Sequence, residues 1–201
     1  MKTKFLLASN NEHKQEEYSA ILGSFGVEVL LPRDLKIDVD VLEDGKTYIQ
    51  NSKKKAFAIR EIMNVFPIIS DDSGLEIDAL ENQLGVQTHR FLDQFASKKE
   101  VFEYVISKTT ELNNTKAKFV CVITLIEENG TVKTFKGISK GNIIKVLPER
   151  LDSFGFDPIF IPDGFEHTFD LLDAKTKNLV SHRGKATHKL IHYLQRQQIL
   201  K

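Results

Sequence analysis

The chain has 201 residues, 41% of them hydrophobic and 28% charged, with 28 Lys+Arg against 28 Asp+Glu. Such a composition buries a core and excludes the low-hydrophobicity, high-charge class that stays disordered. A formal net charge of zero removes the bulk electrostatic case for coating nucleic acid or an anionic membrane, so any anion site must be local. The single cysteine, Cys121, leaves no intramolecular disulfide and too few thiols for a Cys-ligated zinc site, and it fits a reducing compartment. The start, Met1 to Ser9, is basic but holds only about four apolar residues before polar sequence, too few for a signal segment. No stretch approaches the roughly eighteen apolar residues of a membrane span. The expectation is a soluble, cytoplasmic protein.

In chain order, Phe5 to Ala8 reads as a short apolar strand that breaks at Ser9-Asn10-Asn11, and Tyr18, Ile21 and Leu22 then recur at helical spacing up to Gly23. Val27 to Leu31 reads as a second strand. Thr47 is an expected N-cap for a helix with Ala56, Ile59 and Met63 on one face and Lys53, Lys54 and Lys55 within it, at most one of them turned inward. Pro67 to Ser70 predicts a buried strand that ends where Asp71-Asp72-Ser73-Gly74 begins. Val101, Phe102 and Val105 predict another helix, followed by an alternating strand from Phe119 to Ile126, a tight turn at Asn129-Gly130 and a returning strand from Thr131 to Ile138. Ala186, Leu190, Tyr193, Leu194 and Gln197 set the period of a final helix. Strand and helix alternate early while the middle carries an antiparallel hairpin, so the expected class is α/β bordering on α+β, with a mixed sheet and flanking helices.

Four segments carry candidate chemistry. Ser9-Asn10-Asn11-Glu12-His13-Lys14 lies where a first strand meets a first helix, and helix starts attract phosphate; a plain cap with a solvated Lys14 also fits. Adjacent Asp71 and Asp72 repel unless a cation or donors compensate. Mg²⁺ held by one or two carboxylates, water and substrate phosphate is one answer, leaving a carboxylate to act as base on water; a surface turn is the other. Glu43, ahead of Asp44-Gly45, is a further candidate for the cation or an ordinary exposed acid. Phe154-Gly155-Phe156-Asp157 sets a glycine between aromatics, a pattern that stacks on a purine or simply packs a core. Lys177, Ser181, His182, Arg183 and Gly184 form a donor cluster ahead of the last helix, suited to phosphate or carbonyl oxygen.

Together and in this order, these segments resemble the inosine/xanthosine triphosphate pyrophosphatase family. The motifs are Ser-x-Asn-x-x-Lys at Ser9, Asn11 and Lys14, Asp-Asp-Ser-Gly-Leu at 71–75, Phe-Gly-Phe-Asp-Pro-Ile-Phe at 154–160 and Ser-His-Arg-Gly-Lys-Ala at 181–186, with softer echoes at Asn51, Lys55 and Phe119-x-Cys121. The resemblance covers nearly the whole chain. It implies one domain over 1–201 with two lobes around a nucleotide-binding groove, a long twisted mixed sheet and a homodimer. It also implies hydrolysis of deaminated purine triphosphates (ITP, dITP, XTP) to monophosphate and pyrophosphate. By the same resemblance, Ser9 to Lys14 cradle the triphosphate with Lys55, Asp72 binds Mg²⁺ and accepts a proton, and Glu43 and Asp71 assist with the cation. Ser73 contacts substrate, and Phe154, Gly155, Phe156, Asp157, Lys177, His182 and Arg183 hold the base and nearby phosphate. Neither nucleic acid nor membrane is an expected partner.

Departures from the family pattern fall at Leu84 to Arg90, where only Gly85 and Arg90 match, and at Gln50, Ser153 and Phe169-Asp170. A septum-formation-like nucleotide pyrophosphatase would show Ser-x-Ser-Pro-Arg-Arg after the first strand, which Ser9-Asn10-Asn11-Glu12 does not. A haloacid-dehalogenase phosphatase would place its aspartates two apart after the first strand. A nucleotide sensor that binds without turnover is the alternative from another class.

Overall fold

The structure is a computed structural model and describes residues 3–38 and 41–200. Its six strands are β1 Thr3–Leu7, β2 Val27–Leu30, β3 Ile68–Ile77, β4 Lys116–Ile126, β5 Val132–Ile143 and β6 Phe160–Pro162. They form one mixed sheet in the order β2-β1-β3-β4-β5-β6. The helices are α1 Glu12–Gly23, α2 Tyr48–Ile62, α3 Thr88–Leu92, α4 Lys98–Glu111, α5 Ala174–Val180 and α6 His182–Arg196. β1 runs parallel to both β2 and β3, whereas β5 and β6 are antiparallel. This is the expected α/β class with a mixed sheet.

Local chemistry explains most element boundaries. Asn11, Thr47, Ser97 and Asp173 sit in extended backbone, and each side-chain oxygen accepts an N–H from the first turn of the helix that follows. The turn between β4 and β5 closes through Glu127 N to Thr131 O at 2.9 Å, with Gly130 at φ +84°. That left-handed position costs glycine nothing.

Three boundaries differ from the sequence expectation. β3 does not stop at the acidic pair but continues through it to Ile77. β4 starts at Lys116 and is buried on both faces from Phe119 onward rather than alternating, with Cys121, Ile123 and Leu125 in one apolar cluster and Ile126 in another; its partner β5 extends to Ile143. His182, Arg183 and Gly184 lie inside the first turn of α6, not ahead of it, because α5 ends at Val180 with only Ser181 between the two helices.

The chain forms two compact units. The first comprises Met1–Asp72, Cys121–Gly137 and Arg183–Lys201. It has two apolar clusters divided by strand alternation. Phe5 and Leu7 of β1 and Ile69 of β3 pack with Tyr18, Ile21 and Leu22 of α1 and with Ala186, Leu190 and Leu194 of α6. Leu6 and Ala8 of β1 and Ile68 of β3 pack with Ala56 and Ile59 of α2. Successive residues thus serve opposite helical layers, the two-residue period of any strand.

The second unit comprises Ser73–Val120 and Ile138–His182. One cluster fills it, built from Leu75 and Ile77 of β3, Phe119 of β4, Val101, Phe102 and Val105 of α4, and Phe156, Phe160 and Phe169. Phe119 meets Phe160 edge-on at 4.8 Å and Phe160 meets Phe169 at 5.0 Å between ring centroids, within the range aromatic pairs prefer.

Gly74 is required by close approach. Thr88 Oγ1 donates to Gly85 O at 2.6 Å and accepts from Leu75 N at 3.2 Å, which holds the 84–88 segment against β3. A Cβ on residue 74 would lie 2.1 Å from Gly85 O and 2.8 Å from Thr88 Oγ1. Because the nearer obstacle is backbone, Gly74→Ala is expected to destabilise the protein by about 2 kcal/mol or more, read as a lower urea midpoint. An unchanged midpoint would show that the 84–88 segment yields freely.

Candidate active site

Asp71 and Asp72 are neighbours in a strand, so their carboxylates leave on opposite faces. Asp71 follows Ile69 toward the layer of α1 and α6. Asp72 follows Ile68 and Ser70 toward α2, where Ser70 Oγ donates to Ser52 O at 2.5 Å. The repulsion expected of adjacent acids is relieved by geometry before any counter-ion is considered.

On the first face, Asp71 is wholly buried and engaged by three groups. Lys14 Nζ donates to Oδ1 at 2.9 Å, the Arg183 Nε and Nη2 donate to Oδ2 at 3.3 Å, and the Cys121 thiol lies 3.6 Å from Oδ2. Arg183 is only 1% exposed, and its Nη1 bonds Glu17 Oε2 at 2.5 Å. Burial alone would push the Asp71 carboxyl up, but Lys14, Arg183 and Lys55 outweigh it and hold the acid below the ordinary carboxylate range. The same burial, with Asp71 adding to it, drives the Cys121 thiol and the Tyr18 hydroxyl upward, so both stay neutral.

On the second face, Asp72 has weaker compensation. Asn51 Nδ2 donates to its Oδ2 at 3.0 Å, and Lys55 Nζ stands 4.0 Å from its Oδ1. Burial pushes the carboxyl up to about 6, and Glu43 adds to the rise, while Lys55, Asn51 and Lys14 oppose it. Lys55 also bonds Glu43 Oε2 at 2.7 Å, so one ammonium stands between two carboxylates. It is the one lysine of the 53–55 run that turns inward. Asn51 Oδ1 accepts Gly45 N at 2.7 Å, tying the Glu43–Gly45 loop to the same side chain that touches Asp72. Among the described residues, no group of three or more His, Cys, Asp or Glu side chains gathers as a metal cluster.

The segment before α1 is held by local hydrogen bonds. Gln15 Nε2 donates to Ser9 O at 2.9 Å, Ser9 Oγ accepts Asn11 N at 3.2 Å, and Asn11 Oδ1 accepts Lys14 N at 3.1 Å. Asn10, Asn11, Glu12 and His13 are exposed. Lys14 turns inward to Asp71 rather than into solvent, one helical turn after its cap.

In the second unit, Asp157 is buried and accepts Lys177 Nζ at 2.6 Å. Asp157 N closes a turn on Phe154 O at 3.1 Å across Gly155, whose φ is +54°. Phe156 belongs to the core beside Phe102 at 6.0 Å, whereas Phe154 and Ser73 stay half-buried. His182 is buried and stacks on Phe119 at 4.7 Å and 13°. Lys177 bonds Asp157, His182 lies on Phe119, and Arg183 bonds Asp71 and Glu17.

Sequence reasoning passed over Glu17 and gave Asn51 no role. Both carried a readable signal: Glu17 lies three residues after Lys14, and Asn51 four before Lys55, spacings that share a helix face.

Removing a partner from a buried ion network leaves the remaining charges uncompensated. Asp71→Asn is expected to lower unfolding stability by about 3 to 5 kcal/mol, measured by urea denaturation at pH 7. In the wild type this contribution is complete above the ordinary carboxyl value of 3.8 and is lost as pH falls through the depressed native value. Asp72 has the opposite sign. Its proton is favoured in the fold, a contribution complete below pH 3.8 and lost as pH rises through about 6. Carboxyl-selective NMR on metal-free protein should find Asp72 titrating near 6; a midpoint near 4 would show that burial does not govern it.

Comparison with known proteins places this geometry. Residues 5–193 match the model of the Ham1 family. The chain is 37% identical over 194 residues to a dITP/XTP pyrophosphatase of Clostridium perfringens, covering 93% of this chain and 95% of the relative. It is 38% identical over 201 residues to a dITP/XTP pyrophosphatase of Aquifex aeolicus, covering 95% and 96%. Among solved structures, it is similar to the Staphylococcus aureus Ham1 protein with a TM-score of 0.82 and 30% identity, over 97% of this chain and 100% of that one. A HAM1 protein from Coxiella burnetii gives the same TM-score and identity over 96% and 99%. With its sequence, its mixed sheet and its ordered motifs in agreement, the chain belongs to the Ham1 family.

Proposed function

We propose that this protein hydrolyses deaminated purine nucleoside triphosphates (ITP, dITP and XTP) to the monophosphate and pyrophosphate. The observation that carries the reading is Asp72: a buried carboxyl bonded by Asn51 and set beside Lys55 and Glu43, in a chain whose relatives at 37% and 38% identity are dITP/XTP pyrophosphatases. A carboxylate so placed can take a proton from water.

The donor set suits Mg²⁺. Asp72 and Glu43 offer hard carboxylate oxygens to a position already favourable to a cation, as Lys55 between them attests. Asp72 and Glu43 would hold the ion, which supplies charge stabilisation to the triphosphate oxygens. Asp71, expected to assist, has its oxygens engaged by Lys14, Arg183 and Cys121. Its part in the proposal is to hold those two cations in place.

The Asp72 carboxylate accepts a proton from the attacking water. A bond forms from that water to the α-phosphorus, and the bond to the α–β bridging oxygen breaks, so pyrophosphate carries the leaving electron pair. Lys14, Lys55 and the segment from Ser9 to His13 neutralise and orient the triphosphate, with each charge-assisted contact contributing roughly 1.5 to 3 kcal/mol. Ser73, Phe154, Gly155, Phe156, Asp157, Lys177, His182 and Arg183 are assigned to the sugar, base and adjoining phosphate. Donors facing a 6-oxo group are left unpaired by a 6-amino group, which discriminates against ATP by about 10⁴ or more. A cytoplasmic homodimer completes the proposal; Cys121 as a buried free thiol supports the compartment.

Purified protein with Mg²⁺ should release pyrophosphate, not orthophosphate, from ITP, dITP and XTP, and much less from ATP. Binding without release would make the protein a nucleotide sensor. Asp72→Asn should lower kcat by at least 10³-fold, the scale of a lost general base with its electrostatic role, while circular dichroism stays as in wild type and the urea midpoint does not fall. Turnover at the wild-type rate in that variant would remove Asp72 from its role.

A further inference from the structure

Lys98 is the first residue of α4, following the Ser97 N-cap. A cation at the positive end of a helix is locally unfavourable, and Lys98 and Lys99 place two there. Lys99 is answered on its own helix by Glu103 at 3.7 Å, four residues on. Lys98 is answered elsewhere: its ammonium donates to the backbone carbonyl of Ser153, and it sits 5.6 Å from the centroid of the Phe102 ring. Burial lowers its pKa, against the opposing pull of Asp157, Asp152 and Asp170. A partly desolvated lysine kept at a helix start breaks a local rule, and such breaks need a compensating gain.

The gain is visible in what Ser153 precedes. The next four residues are Phe154-Gly155-Phe156-Asp157, and Gly155 takes the left-handed φ of +54° with open space around its missing side chain. No side chain of its own holds that residue in place, so the segment is fixed at its flanks. On the downstream side, Phe156 packs near Phe102 and Asp157 is bonded to Lys177. On the upstream side, the Lys98 ammonium ties the Ser153 carbonyl to α4, and Phe102 lies beneath both Lys98 and Phe156.

We propose that Lys98 is a positioning residue for the 154–157 loop, one that sets the affinity for the purine base by clamping the loop's entry to α4. This rests on the reading above that the loop holds the base. A charge-assisted hydrogen bond of this kind supports a change of about tenfold in binding.

The test compares Lys98→Met, which keeps an unbranched stem over Phe102 but no charge, with Lys98→Arg, which keeps the donor. Lys98→Met should raise KM for ITP about tenfold with kcat within about twofold, whereas Lys98→Arg should restore KM to within about threefold of wild type. Tripolyphosphate has no base, so its inhibition constant should stay unchanged in both variants; a general loosening of the fold would move it too. Amide hydrogen exchange at residues 154–157 should quicken in Lys98→Met and not in Lys98→Arg. An unchanged KM and exchange rate in an active Lys98→Met protein would overturn the inference, as would a tripolyphosphate constant that shifts in step with KM. If Lys98→Met does not fold, an Arg variant that folds but binds ITP at least tenfold more weakly would also overturn it. Failure of the functional reading is separately visible, since the wild type itself would then release no pyrophosphate from any purine triphosphate.

Discussion

The period of a β-strand is the constraint on which the first compact unit of this molecule depends. Side chains leave a strand on alternate faces, so Asp71 and Asp72 cannot share an environment even though they share a peptide bond. One enters the layer of α1 and α6 and meets Lys14 and Arg183; the other enters the layer of α2 and meets Asn51 and Lys55. The same alternation sorts Leu6 from Leu7 and Ile68 from Ile69 into two apolar clusters. Core packing and acid placement therefore follow from one register.

Two identical side chains acquire opposite characters as a result. Asp71 is more deeply buried than Asp72, yet it is the stronger acid, because two cations at bonding distance outweigh desolvation. Asp72 faces one cation at 4.0 Å that it must share with Glu43, and there desolvation prevails. The pair thus divides labour: a fixed anion that organises cations, and a titratable group near neutrality. Environment, not residue type, assigns acid and base roles.

Much of the fold was legible from the sequence where periodicity and capping chemistry agree. The helix after Asn11, the helix capped by Thr47 and the hairpin at Asn129-Gly130 all lie where their residues indicate. Polar residues at 71–73 imitate a loop, whereas β3 runs on to Ile77 with both carboxylates bonded by donors within the fold. Lys177, His182 and Arg183 are close in sequence, but Lys177 lies on the short α5 and the other two on the 15-residue α6, and each meets a different partner. Long-range pairs such as Glu17 with Arg183 leave no local trace, although the spacing from Lys14 to Glu17 hinted at a shared face. Lys98 has no local signal in the sequence, because its partner is a backbone carbonyl 55 residues away.

Asn51 carries an implication for how this architecture tolerates change. Its amide is bonded at both ends, to the Gly45 backbone and to Asp72, and a Cβ at residue 45 would sit 2.4 Å from its oxygen. Neither Asp nor Leu at this position reproduces both bonds, since the first lacks the donor and the second lacks everything. The loop bearing Glu43 and the strand bearing Asp72 are consequently joined through a single planar group that fixes which atom faces which. Drift in that loop can proceed at its outward side chains, while its backbone path is inherited together with the acid.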